Sequence, residues 1–146
     1  MIYTFLTKKA LQLCFSAHKE QVDKTGLPYV FHPFHLAEQM DDEISTVCAL
    51  LHDVVEDTDI TLNDIRKMGF TEEVVQVLAL LTHENDVPYM DYIKRISTNP
   101  IATKVKIADL LHNSDTTRLD VVDEFALRRE EKYKKALDFL YQSQEN

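Results

Sequence analysis

What most constrains this chain is the spacing of its apolar residues, which recur every three or four positions through one segment after another. From Phe5 to about Glu20, Leu6, Ala10, Leu13, Cys14 and Ala17 fall on one side of a 3.6-residue period, which predicts a first amphipathic helix. Asp23-Lys24-Thr25-Gly26-Leu27-Pro28 interrupts it, and Pro33 suits an early position of the next helix, where its missing amide hydrogen costs nothing. His32 then stands at a helix entrance. The run ISTVCALLHDVV predicts a third helix from about Glu43 into Val54. Thr61 with Asp64 reads as a helix start, Gly69 as a stop and Thr71 as a cap, giving helices over 61–68 and 71–82. The chain re-enters a helix near Pro88, breaks at Asn99-Pro100, resumes through Val105, Ala108 and Leu111, and ends in a helix from about Asp123 to Tyr141. No convincing strand pair, repeat or low-complexity segment is present. Only 2 Gly and 4 Pro among 146 residues agree with an all-α, non-repeating bundle, and the length suits a single domain over 1–146.

Charge and composition narrow the classes of partner. A net charge of -9 opposes broad binding to a DNA or RNA backbone, although a local basic wall or a metal still admits a small anion. Cys14 and Cys48 lie in apolar stretches and read as core thiols of a reduced, cytoplasmic protein rather than a disulfide framework. The start, MIYTFLTKKALQL, lacks a cleavage-like tail, and no apolar run approaches membrane-spanning length, so export and membrane insertion are not expected. Oligomeric state is left open.

The chemistry-bearing residues are dispersed acids and histidines: His32-Pro33, His52-Asp53 with Glu56-Asp57 a turn later, and Asp109 in KIADLLHN. On one continuous third helix, His52 and Glu56 share a face and Asp53 and Asp57 share the adjacent one. Imidazole nitrogens and carboxylate oxygens suit manganese, iron, zinc or cobalt. The blander readings stand beside this one: His32 as a helix cap, and Asp109 as a buried acid paired with Lys106. No GxxxxGK phosphate cradle occurs, and no serine or cysteine nucleophile is needed.

The segments AHKEQVDKTGLPYVFHP, ALLHDVVEDT and VKIADLLHN resemble, in order and spacing, the signatures of the HD-domain family. More narrowly they resemble the hydrolase domain of RelA/SpoT enzymes and the small alarmone hydrolases, over roughly residues 3–141. The resemblance implies a compact HD-domain helical bundle. It implies one divalent ion, manganese first with iron, cobalt or zinc as alternatives, held by His32, His52, Asp53 and Asp109. Glu56 and Asp57 match the acids that orient or activate the attacking water. The implied reaction is hydrolysis of the 3′-pyrophosphate of guanosine 3′,5′-bis(diphosphate), without the synthetase half of the long enzymes.

On the substrate side the resemblance implies contacts from Lys24, Thr25, Lys106, Asn113, Thr116 and Tyr133. Lys106 has the alternative of pairing with Asp109, Tyr133 that of a core aromatic, and Arg118 is placed either on phosphate or in solvent. Of the remaining histidines, His18 is expected to fasten the site loop or pair within its helix, and His35 and His83 to be exposed or capping. His112 is expected either to support the site or simply to pack. The sequence also departs from the family pattern. Asp23 stands where an arginine precedes the lysine, Glu20 replaces a glycine, Leu110 replaces a basic residue, and HNSDTTRL departs from HNMRTL. Those departures keep two alternatives open: a phosphohydrolase acting on another nucleotide, and a silent nucleotide-binding sensor or helical interaction module.

Overall fold

The computed structural model describes residues 1–145, so residue 146 of the expected domain lies outside the described residues. Helix α1 spans Phe5–His18, α2 Phe31–Glu38, α3 Glu43–Leu51, α4 Val54–Asp57 and α5 Leu62–Lys67. They are followed by α6 at Glu72–Leu81, α7 at Tyr89–Ile96, α8 at Pro100–Asn113, a 3-10 turn at Thr116–Arg118 and α9 at Glu124–Gln144. Among the described residues the one extended pairing is an isolated bridge between Val22 and Pro28, and the all-α expectation holds.

The helix starts are written locally. The first amides of a helix have no partner within it, and a side-chain oxygen just upstream accepts from them. Thr4, Asp42, Thr61, Thr71 and Asp123 do this for α1, α3, α5, α6 and α9. Asn99 accepts from Ile101 and Ala102 at the head of α8, with Pro100 in the first turn. Gly69 ends the α5 region at φ +94°, a left-handed conformation that a Cβ would strain.

Packing explains the helix that lacks a polar face. Every residue of α3 from Ser45 to Leu51 is buried, because α1, α2, α6 and α8 surround it. By contrast, α9 rests on α7 and α8 and buries only Ala126, Ala136 and Leu140.

The predicted unbroken helix from Glu43 into Val54 is corrected. His52 ends α3, and Asp53 adopts φ −108°, ψ 0°, outside the helical region, before α4 starts again at Val54. The shared face expected for His52 and Glu56 therefore does not exist. The physical cause is tertiary: the Asp53 carboxylate is drawn to the Tyr29 hydroxyl and lies 3.1 Å from His52 Nε2. The interruption lets two adjacent side chains converge, which a straight helix permits only at its edge.

Candidate metal centre and substrate cavity

Helices α2, α3 and α8 deliver His32, His52 and Asp109 to one buried point, where one ligand atom from each lies within 4.8 Å of the others. His32 Nε2 is 2.8 Å from Asp109 Oδ1, and His52 Nε2 is 3.5 Å from the same oxygen. His52 Nδ1 lies 2.8 Å from the Ala49 carbonyl, which can only accept, so Nδ1 carries a proton and Nε2 is the nitrogen that faces the cluster. That Nε2 is buried and makes no hydrogen bond. An orphaned buried nitrogen beside two carboxylates is the donor set of a cation site.

Electrostatics say the same. Burial opposes a charged His52, yet Asp53 and Asp109 carry its imidazole well above the ordinary histidine range. Burial alone would raise Asp53, but His52 and the Tyr29 hydroxyl bring it down to about 2. Burial likewise opposes ionised Asp109, which Lys106 and the two histidines hold well below the usual carboxylate range. The cluster demands positive charge at its centre. An imidazolium supplies one charge; a divalent ion on the same nitrogens and oxygens supplies two. The residues therefore fit a metal, with His32, His52 and Asp109 at its core and Asp53 alongside.

Support comes from behind the ligands. His32 Nδ1 is 2.7 Å from His112 Nδ1, and the two rings are nearly parallel at 7°. His112 is pushed down to about 4 by burial and by the neighbouring His32, Arg118 and His35, so near neutral pH it is uncharged and one of its nitrogens can accept. His112 is thus a hydrogen-bond partner of His32 as well as a packed ring. Asp109 is held on its other side by Lys106 Nζ at 2.8 Å and by Asn113 Nδ2 at 3.0 Å. Lys106, expected among the substrate contacts, has its ammonium on Asp109 instead. His32 does not cap α2; its ring is committed to Asp109 and His112.

A cavity of about 350 Å³ opens beside this centre, and Asp23, Lys24, Thr25, Tyr29, His32 and Asp53 line one part of it. Asp57, Asn113, Arg118, Arg129 and Tyr133 line the rest. Of the expected substrate residues, Lys24, Thr25, Asn113 and Tyr133 reach the cavity, whereas Lys106 and Thr116 are not in its wall. The paired acids of α4 also divide. Asp57 faces the cavity, and its carboxyl is raised to about 6 by partial burial and by the charges of Asp53 and Glu56. Glu56 Oε1 instead accepts from the His83 amide at 2.7 Å, pinning the start of the loop after α6. His18 Nδ1 is 2.8 Å from Gln21 Oε1, as expected for a histidine fastening the loop. His83 bonds the Val87 carbonyl and stacks on Tyr92, while His35 is exposed and lies 4.2 Å from the His112 ring. Cys14 and Cys48 are buried free thiols, and burial pushes Cys14 up to about 12.

Two residues escaped the sequence reading. Tyr29, whose hydroxyl bonds Asp53, lies three residues before His32, and Arg129 lies one helical turn before Tyr133 on α9. Arg129 could have been found as a same-face neighbour of Tyr133 on one helix, whereas Tyr29 precedes α2 and carried no such signal.

The fold and centre define an all-α, HD-type domain. No family model matches the chain. It is 34% identical over 140 residues to a guanosine-3′,5′-bis(diphosphate) 3′-pyrophosphohydrolase of Aquifex aeolicus, an alignment covering 88% of this chain and 19% of that protein. It is 32% identical over 114 residues to the Mus musculus guanosine-3′,5′-bis(diphosphate) 3′-pyrophosphohydrolase MESH1, covering 68% of this chain and 63% of the mouse protein. The chain thus spans about a fifth of the bacterial relative and under two thirds of the mouse one. A solved structure described as a metazoan ortholog of SpoT that hydrolyses ppGpp shares the fold, with a TM-score of 0.75, 23% identity, and coverage of 98% of this chain and 87% of that one. The chain belongs to the HD-type family that includes the ppGpp hydrolases. Among the described residues no helix is long and apolar enough to cross a membrane.

Proposed function

We propose that the chain, acting as a single domain, hydrolyses the 3′-pyrophosphate of guanosine 3′,5′-bis(diphosphate) or a closely similar nucleotide. The observation that carries this reading is the orphaned His52 Nε2 beside Asp53 and Asp109, at the edge of a cavity that also holds Lys24 and Arg129. A divalent ion on His32, His52, Asp53 and Asp109, manganese by preference, supplies Lewis acidity toward a phosphate oxygen and toward water. Asp57 takes the proton of the attacking water, since its carboxyl faces the cavity and its raised pKa brings it close to neutral. The water oxygen bonds to the phosphorus attached to O3′, the P–O3′ bond breaks, O3′ takes up the proton to become a hydroxyl, and the products are pyrophosphate and the nucleoside 5′-diphosphate. Glu56 fixes α4 through the His83 amide. Lys24 and Arg129 offset substrate phosphate charge, with Asn113 and Tyr133 completing the wall.

A second reading, hydrolysis of another phosphorylated nucleotide, is favoured by Asp23, which puts a carboxylate in the cavity wall. The test is an assay of the manganese-reconstituted protein against the 3′-pyrophosphates of guanosine and adenosine and a panel of simple nucleotides, with pyrophosphate and phosphate quantified separately. Pyrophosphate release from the guanosine compound is the expected result. Rapid turnover of another nucleotide, with none of the 3′-pyrophosphates, selects the second reading; a metal-loaded but inert protein leaves neither standing and points to a nucleotide sensor.

A further inference from the structure

The cavity wall contains a charge pair joined across two distant stretches of chain. Asp23 Oδ1 is fully used by its own turn, accepting from the Thr25 amide at 2.8 Å, the Thr25 hydroxyl at 2.5 Å and the Leu27 amide at 3.1 Å. Its Oδ2 is left facing Arg118, whose Nη1 is 3.8 Å away. Arg118 Nη2 donates to the His112 carbonyl at 2.9 Å, and Nε is buried with no acceptor. All three guanidinium nitrogens are therefore directed at protein or shut away from solvent. Arg118 lines the cavity with its side chain only 22% exposed, and with its edge nitrogens so engaged the part left to offer a ligand is its planar face.

Charge separates this arginine from the other cations of the wall. The Asp23 carboxylate beside Arg118 cancels its charge and repels phosphate, so the pair is a poor phosphate anchor. Among the described residues Lys24 and Arg129 have no carboxylate partner, and both lie against the Phe125 ring, at 5.9 and 5.0 Å. A flat, charge-compensated guanidinium held at its edge suits the face of a heteroaromatic ring.

We propose that Arg118 receives the base of the bound nucleotide by stacking, with Asp23 as the positioning residue that holds its plane. The inference deepens the nucleotide-hydrolase reading and rests on it for the class of ligand. It makes the site selective for a nucleotide over the bare phosphate groups, with little preference between guanine and adenine, because every base presents a π face.

The test is calorimetric titration of the full chain with GDP, ADP and inorganic pyrophosphate. Wild-type protein is expected to bind GDP and ADP alike, each about tenfold or more tighter than pyrophosphate, the scale of one stacked base. Arg118→Ala and Arg118→Lys should both erase that advantage and leave pyrophosphate affinity within about threefold, since lysine keeps charge but has no plane. Asp23→Asn should lose part of it. Unaltered melting curves for Arg118→Lys guard against a folding defect. Survival of the nucleotide advantage in both Arg118 variants overturns the inference, as does an equal loss for pyrophosphate or a wild type that binds pyrophosphate as well as GDP. Base-dependent binding without any hydrolysis of 3′-pyrophosphates supports the stacking role while removing the hydrolase reading, so the two fail separately.

Discussion

The floor and the rim of the cavity are built on different terms. The floor is the buried centre beside the cavity, three side chains no more than 5% exposed, His32 and Asp109 on α2 and α8 and His52 at the end of α3, of which His32 reaches the cavity wall. The rim comes from the turn around Asp23–Leu27, the 3-10 turn at Thr116–Arg118, the segment after it and the first turns of α9, where Val121 is 75% exposed. Chemistry that needs fixed geometry sits on mutually packed helices. Recognition sits on segments whose backbone is free to vary. The departures from the family pattern follow this division only in part: Asp23 and the residues after Asn113 lie on the rim segments, whereas Leu110 is buried on α8 next to Asp109.

The sharpest way to break the comparison is to alter the floor's reactive edge. Asp57→Asn should lower turnover by about 10²- to 10⁴-fold while metal content and unfolding midpoint hold. The same carboxyl gives a pH signature in the metal-free protein. Its folded pKa of about 6 exceeds the ordinary carboxylate value, so the native state binds more protons than the unfolded chain as pH rises from about 4 to 6. Wild-type stability should therefore fall across that window and stay low above it, and the Asn variant should lack this slope. Urea unfolding at pH 4.5 and 7 measures both; a slope that persists in Asp57→Asn assigns the effect elsewhere.

A stability effect comes next. Asp109→Ala strands the Lys106 ammonium, which is buried against Asp109 Oδ2, and should cost about 3–5 kcal/mol in urea unfolding of the metal-free protein. Adding Lys106→Met should recover much of it, and no recovery in the double variant would deny that the pair is coupled.

A smaller effect probes the support behind the floor. His112→Phe keeps a ring beside His32 and removes its nitrogen, so metal affinity measured by chelator competition should drop about 10- to 100-fold. Unchanged affinity reduces His112 to packing. At the rim, Val121→Ala should shift unfolding free energy by no more than about 0.5 kcal/mol, because an exposed side chain there loses little on truncation. A larger cost would mean that the rim is as tightly built as the floor.

Much of the fold was legible because helix formation is local. Helix starts at Thr61 and Thr71, the break at Asn99-Pro100, the stop at Gly69 and the apolar spacing of α1 all act within a turn or two, and the structure has each where the sequence places it. The candidate site was legible in part: His32, His52 and Asp109 meet as a set, and Lys24, Thr25, Asn113 and Tyr133 reach one cavity. The continuous helix through His52 and Asp53 misled for a physical reason. Its local pattern is helical, and a bond from Tyr29 to Asp53, made across the fold, accompanies the interruption.

The sequence by itself determined most of the helices and their starts, the break inside the third helix excepted, and the residue types able to hold a metal and a phosphorylated ligand, since these follow from backbone hydrogen bonding and side-chain chemistry read over a few residues. Only the tertiary structure decided how those residues are spent: Lys106 on Asp109, Glu56 on the His83 amide, Arg118 clamped between Asp23 and the His112 carbonyl. Each of those choices depends on which helix packs against which and on where an aperiodic loop returns. Short-range patterns carry no record of either.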